Sequence, residues 1–259
     1  MGAPASTTLF GEFGPFELQV SRGQIVGHRS VTVFGFNPDV DQTEVTVWPL
    51  PTLAPQPAAA LRMSVSSTNA NDTAAGTGAR TVVIEGLDAN YVEITETVTL
   101  NGQSAVLTAA SFLRINYMYV ATAGSTKSAA GDIYIGTGTL TAGVPAIVYD
   151  IIKFNYNNTV TGCYTIPAGY TGYLSQGRFA TGQVTGSSLV QGRLVATGLD
   201  GIRRTAAVTT LNNGVADYTF EYPVPVPEKT TLEATALGSA NNNSASSMFV
   251  LVLIKNSLS

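Results

Sequence analysis

Hydrophobic and polar residues alternate with a period of two along much of this chain, a pattern typical of β-strands with one buried face. The clearest example is the segment 91–100, in which one face carries Val92, Ile94, Val98 and Leu100. Asn101-Gly102 follows directly, and this pair favours the tight turn of a β-hairpin. We therefore expect residues 104–108 to pair back onto this strand, within an antiparallel sheet that contains no long helix.

The spacing of such runs predicts an all-β protein with two β-sandwich or jelly-roll-like units. We place the first unit at residues 31–142 and the second at 143–259, because the segment 137–145 is rich in Gly, Thr and Pro. Further turn signals lie at 167–169 and 212–214. The prolines of 223–227 favour a sheet edge, whereas the closing run 248–255 is apolar on both faces and should lie within a sheet.

The glycine-rich segment 1–30 cannot build a core by itself, so we expect an extended N-terminal arm. Three aromatic residues of this arm would fit pockets on an adjacent subunit, although packing on their own domain is the alternative. The proline-rich connector after residue 47 is expected to wrap around the molecule. The predicted contact residues are Phe10, Phe13, Phe16, Trp48, Pro51 and Pro55.

The composition favours a subunit of a larger assembly. Only 12% of the residues are charged, and the mean hydropathy is +0.19. Interface centres are depleted in charged side chains, so copies of this chain or another protein would cover part of the surface. The net charge of −4 and the lack of a basic cluster argue against nucleic acid as a partner. No apolar run approaches the roughly 20 residues that span a bilayer, so no membrane partner is expected.

The residues that usually carry catalysis are scarce. His28 is the only histidine and Cys163 the only cysteine, so neither a nucleophilic triad nor a zinc site can be assembled. We expect His28 to be solvated or at an interface, and Cys163 to be a buried structural residue. The sequence thus predicts a protein that is not an enzyme and that requires no metal or cofactor.

Side chains with oxygen donors in two loop regions are candidate calcium ligands, because Ca²⁺ prefers oxygen donors. The first set comprises Asp39, Asp41, Thr43 and Glu44, and the second comprises Asp72 and Asp88. Aspartates in turns rich in Asn, Pro and Gly more often bind their own backbone. We therefore favour turn capping for both sets.

The alternation along the strand 91–100 places Glu96 on the same face as its apolar residues. A buried carboxylate must be paired or protonated, and Arg80 or Arg114 would supply a structural ion pair from a neighbouring strand. The alternative is a β-bulge that turns Glu96 outward.

Several short strings of this sequence resemble a family of virion structural proteins of tailed bacteriophages, common in marine phages. The similar strings include Asn71-Asp72-Thr73, Gly76-Thr77-Gly78-Ala79-Arg80, Leu100-Asn101-Gly102 and Phe112-Leu113-Arg114. Phe34-Gly35-Phe36-Asn37-Pro38-Asp39 and Thr46-Val47-Trp48-Pro49 look like the same family's entry segment. The resemblance covers roughly residues 27–140 and implies a particle component.

Three functions follow from the resemblance and the composition. The first is a capsid decoration or cement protein, made in the host cytoplasm and placed on the capsid exterior, where a homotrimer would bridge major capsid subunits. The second is a tail or baseplate protein that binds host surface glycans through exposed aromatic residues. A glycan-cleaving enzyme would need two carboxylates facing one cleft, and no such pair is evident in the sequence.

Overall fold

The computed structural model describes residues 15–183 and 188–257. Within these ranges the chain forms a short helix, α1 (Phe16–Ser21), and otherwise antiparallel β-strands arranged in four sheets. This confirms the all-β prediction. No helix in the described ranges is long and apolar enough to cross a membrane.

One sandwich, here the terminal sandwich, is built from strands near both ends of the described chain. Its strands are β1 (His28–Val40), β2 (Val45–Thr46), β10 (Cys163–Thr165), β11 (Tyr170–Gln183), β12 (Val190–Thr197), β13 (Arg203–Leu211), β14 (Val215–Val226), β15 (Thr231–Gly238) and β16 (Asn243–Lys255). Sheet I has the order β1-β16-β11-β14, and sheet II has the order β10-β15-β12-β13 with β2 paired to β15. Val33, Leu232 and Phe249 belong to the apolar core between them.

The second, central sandwich is formed by the intervening part of the chain. Its strands are β3 (Ser64–Ser67), β4 (Ala79–Leu87), β5 (Glu93–Thr99), β6 (Val106–Leu107), β7 (Arg114–Ala123), β8 (Ile133–Thr141) and β9 (Val144–Ile152). Sheet III has the order β6-β3-β8-β9, and sheet IV has the order β5-β4-β7. Its core includes Ile84, Phe112 and Ile133, which are fully buried.

The strand pairing does not follow the expected division at residue 142. Strands β1 and β2 lie in the terminal sandwich, and β9 pairs with β8 in the central one. The closing strand β16 accounts for the first departure, because it has a hydrogen-bonded strand on each of its edges. β1 supplies one neighbour, from the pair His28 and Ile254 to the pair Val40 and Asn243, and β11 supplies the other.

The predicted hairpin at Asn101-Gly102 is wrong, although the chain does turn there. Gly102 has a φ of +59°, as the turn prediction requires, but β5 pairs with β4 and β6 pairs with β3. The Gly102 carbonyl accepts a hydrogen bond of 2.8 Å from the Ser67 amide, and the Gly102 amide donates one of 2.7 Å to the Asp72 carbonyl. These bonds direct the chain from sheet IV into sheet III.

Candidate functional site

The residues predicted to contact a neighbouring subunit have different environments. Phe10 and Phe13 lie outside the described residues. Phe16 on α1 is 48% exposed, and its ring packs edge-on against His28 at a centroid distance of 6.1 Å. Pro51 is exposed and Pro55 is half-buried. The contact role of these five residues stays a prediction.

Trp48 is fully buried and packs inside its own chain, so it offers no surface to a partner. Its ring belongs to an apolar cluster with Tyr134 and Ile151 of sheet III. The indole Nε1 donates a hydrogen bond of 2.7 Å to the Thr52 carbonyl, which satisfies the one polar atom of this side chain. Trp48 therefore joins the connector after β2 to the central sandwich, which corrects its predicted role as a contact.

The predicted ion pair of Glu96 with Arg80 or Arg114 does not form. The half-buried Glu96 carboxylate accepts hydrogen bonds from the amides of Ala109 and Ala110, at 2.7 and 2.8 Å. Arg80 donates to the Gly76 carbonyl at 3.1 Å.

Arg114 binds the connector instead of Glu96. It donates to the Pro57 carbonyl at 2.9 Å, and its guanidinium carbon lies 5.6 Å from the centroid of the Tyr91 ring. Backbone groups therefore take the place of the expected ionic partners, because β5 lies at an edge of sheet IV and is free to meet the loop after β6.

Asp72 is fully buried, and both of its carboxylate oxygens are occupied by donors of this chain. Oδ1 accepts from the amides of Ala79 and Ala130, at 2.7 and 2.8 Å. Oδ2 accepts from the Ser67 hydroxyl at 2.6 Å and from the Gly131 amide at 3.0 Å. This carboxylate organises three loop segments, and no lone pair remains aimed at an ion.

The other carboxylates considered for calcium also bind protein groups. Asp88 Oδ1 accepts from the amides of Asn90 and Val92, the capping role favoured for turn aspartates. Glu44 accepts from the Thr235 hydroxyl at 2.8 Å and lies 3.5 Å from Arg203. Within residues 15–183 and 188–257, no three His, Cys, Asp or Glu side chains form a group that could hold a metal ion.

His28 and Cys163 occupy positions of low reactivity. His28 is half-buried, and its Nδ1 lies 3.0 Å from the Val26 carbonyl oxygen. Cys163 is buried on β10, as predicted, and burial raises the pKa of its thiol well above the usual value. A thiol that stays protonated is a poor nucleophile.

The feature that the sequence analysis missed is an exposed apolar edge of the terminal sandwich. Strands β13 and β14 are the last strands of sheets II and I, and both are exposed over most of their length. We call the following residues the open edge: Val208, Val215, Tyr218, Tyr222 and Val224, which are 56%, 58%, 38%, 83% and 39% exposed. Large exposed apolar patches mark interaction sites.

An apolar groove runs beneath the open edge, where sheets I and II separate. It has a cavity volume of about 60 Å³ and is lined by Phe179, Leu194, Val208, Tyr218 and Phe220, among others. The groove arises because β13 pairs only with β12, and β14 pairs only with β11. The turn at 212–214 therefore joins the two sheets and leaves their last strands without a further neighbour.

The strand β14 is irregular in a way that limits direct strand pairing. Leu174 pairs with Val224 and Gln176 pairs with Thr219, so residues 220–223 have no partner on β11. Tyr222 projects from this bulge, and the two prolines at 223 and 225 remove backbone donors. These features blunt an edge against added strands, so association here would use side-chain faces. The predicted edge position of the proline segment is confirmed.

Three arginines near the open edge are paired with carboxylates, whereas Glu221 beside Tyr222 is not paired with any described residue. Arg178 on β11 lies 2.5 Å from Asp217 on β14, and Arg204 lies 2.7 Å from Asp200. Arg203 contacts Glu233 at 3.1 Å, and burial raises the pKa of Glu233.

Comparison with known proteins provides no family for this chain. No protein family matches it, and no curated protein matches its sequence. A chain in the structure of infectious bursal disease virus Gx strain is 13% identical, with a TM-score of 0.25 over 90% of this chain and 73% of that chain. A chain in the infectious bursal disease virus VP2 subviral particle is 10% identical, with a TM-score of 0.23 over 89% and 72%. TM-scores this low do not establish a common fold, and the likeness carries no argument here.

Proposed function

We propose that this chain is a non-enzymatic structural protein of a tailed-phage virion, namely a capsid decoration or cement protein. Its copies would lie on the capsid exterior, associate as a homotrimer and bridge major capsid subunits. The open edge is the observation that carries this proposal, because a protein that works alone rarely exposes such a series of large apolar side chains. The low charge content and the resemblance of residues 27–140 to virion proteins agree with it.

The stabilising energy would come from buried area. A stable protein interface buries roughly 1,600 Å² in total, with apolar anchors at its centre and paired polar groups at its rim. The open edge offers this arrangement, since Tyr218 and Tyr222 are flanked by the Arg178–Asp217 ion pair. The proposed occupant of the open edge is a second copy of this chain, whereas the shell would contact other surfaces of the trimer.

The test uses virus particles with and without this chain. The protein is first quantified against the major capsid protein in purified particles, and a copy number comparable to that of the shell subunits is expected. Particles that lack the chain should lose their DNA at a lower temperature, and added wild-type protein should restore their stability. Tyr222→Lys protein should restore it poorly.

A different result would identify the competing function. A few copies per particle, located at the tail, would overturn the cement proposal and favour the tail or baseplate protein. Unchanged particle stability after removal of the chain would also contradict it.

A further inference from the structure

A cleft between the two sandwiches has a cavity volume of about 600 Å³. Pockets of roughly 300–1,000 Å³ are typical of sites for small molecules. One wall belongs to β1 of the terminal sandwich, and the opposite wall belongs to sheet IV of the central sandwich. The cleft is remote from the open edge in the sheet order, because β1 and β14 are the two outer strands of sheet I.

The wall on sheet IV carries a row of three polar side chains. Glu85 on β4 lies directly opposite Thr95 on β5 and opposite Tyr117 on β7, so the three side chains share one face. Tyr117 is 38% exposed, and its ring packs against Tyr119 at a centroid distance of 5.8 Å. Partial burial and the nearby Glu85 carboxylate raise the pKa of Tyr117, which keeps its hydroxyl protonated.

The wall on β1 is a free strand edge. β1 pairs only with β16, and the Phe36 amide points the other way and donates to the Val160 carbonyl at 3.0 Å. Backbone direction alternates along an antiparallel strand, so the N–H and C=O groups of Ser30, Thr32 and Phe34 also point away from β16. These three residues line the cleft, and the Phe34 ring is 56% exposed.

The charges in the cleft disfavour an anionic ligand. Arg29 forms an ion pair with Glu93, which leaves the Glu85 carboxylate with no hydrogen bond or ion pair to the described residues. An acidic sugar or a phosphate would therefore be repelled. The Ser30, Thr32 and Phe34 amides on the outer edge of β1 remain as donors to an uncharged acceptor.

We propose that this cleft binds a short neutral oligosaccharide. The Glu85 carboxylate would accept hydrogen bonds from sugar hydroxyls, and the β1 amides would donate to sugar oxygens. The rings of Phe34 and Tyr117 would cover the apolar C–H faces of the sugar. A hydroxyl-rich ligand with apolar faces satisfies this mixture of rings, donors and an unpaired carboxylate, whereas a purely apolar ligand would leave the polar groups unpaired. This inference does not depend on the capsid role.

The test measures binding of maltotetraose, cellotetraose and chitotetraose to the purified full-length chain by isothermal titration calorimetry, with a tetrasaccharide of heparin as the anionic probe. At least one neutral probe should bind, and the heparin probe should not. Glu85→Gln and Tyr117→Ala should each weaken that binding about tenfold, because each removes a hydrogen-bonding or ring contact to the ligand.

The control variant is Tyr222→Ala, which changes an exposed tyrosine on the open edge and should leave sugar binding unchanged. Glu85→Gln keeps the side-chain shape, so its melting temperature should stay close to that of the wild type and separate lost binding from lost folding. Failure of all three neutral probes to bind would overturn the proposal, and so would equal binding by Glu85→Gln. A polypeptide strand in the cleft, seen in a density map of the particle, would also overturn it.

Discussion

The Asp150 carboxylate accepts a hydrogen bond of 2.5 Å from the Thr161 hydroxyl and one of 2.9 Å from the backbone amide of the next residue, Ile151. Asp150 is buried on β9, and Thr161 lies on the segment that leads back to the terminal sandwich. Burial raises the pKa of Asp150 to about 7, against the weaker opposing effect of these hydrogen bonds. A buried acid thus stands at the junction of the two sandwiches.

This pKa predicts that the protein loses stability as the pH rises from about 4 to about 7. Below about pH 4 the carboxyl is protonated in both the folded and the unfolded chain, so it does not lower the free energy of unfolding. Between that pH and about 7 the unfolded chain ionises first, so the free energy of unfolding falls with pH. The total loss is on the order of 4 kcal/mol.

Asp150→Asn removes this ionisation and keeps the acceptor oxygen for Thr161 and Ile151. We expect the variant to exceed the wild type in the free energy of unfolding at pH 8 and to gain far less at pH 5. Urea denaturation at the two pH values measures the difference. Asp217→Asn, at an exposed carboxylate, serves as the control. An Asp150→Asn gain of equal size at both pH values would rule out the raised pKa.

Trp48→Ala should destabilise the folded chain without reducing its self-association. Removing a fully buried tryptophan from the cluster with Tyr134 and Ile151 leaves a cavity, and such substitutions cost about 3–5 kcal/mol. Chemical denaturation gives this value, and light scattering of the folded variant gives its oligomeric state. Leu53→Ala is the control, because Leu53 is 37% exposed and close in the chain. A stable Trp48→Ala variant that no longer associates would restore the original contact prediction.

The sequence predicted where the chain turns better than which strands pair. Glycines 102 and 169 and Asn213 all have positive φ at the predicted turns. In each case the flanking strands enter different sheets, because a turn signal is local whereas strand pairing depends on distant partners. The prediction that β16 lies within a sheet is confirmed by its place between β1 and β11. Its two faces are not equally covered, because buried and half-buried residues alternate along it.

The candidate sites were less predictable, and Glu96 shows why. Its parity indicated burial, but the loop after β6 supplies two amides that no sequence pattern reveals. The open edge was missed for a related reason. Val208 and Val215 have the same residue type and alternation as buried valines, and only the sheet order shows that their strands have no further neighbour.

Calcium should have no effect on stability, because Asp72 already accepts four hydrogen bonds. The melting temperature should be the same with added Ca²⁺ and with a chelator. Asp72→Asn replaces one acceptor oxygen by a donor facing the Ser67 hydroxyl or the Gly131 amide, and should cost about 3 kcal/mol. Asp88→Asn, at a half-exposed turn, should cost much less. A melting temperature that rises with Ca²⁺ and falls with the chelator would contradict the assignment of Asp72.

Tyr222→Lys should weaken association of the chain with its own copies. Tyr222 is 83% exposed on the bulge of β14, so lysine is tolerated in the isolated subunit, and its charge would be buried without a partner in an interface. Sedimentation over a concentration series should show the wild type as an oligomer and the variant shifted toward the monomer by about tenfold or more in dissociation constant. Thermal melting should show that the fold is unchanged.

The matched control is Val26→Lys, which adds the same charge at a side chain that is 81% exposed and precedes β1. β1 and β14 are the outer strands on opposite sides of sheet I, so this substitution leaves the open edge intact and should not change association. Equal weakening of association by both variants would mean that an added positive charge opposes association wherever it lies on the surface. A wild-type chain that stays monomeric at every concentration would exclude the open edge as a contact between copies, because the associated fraction must rise with protein concentration.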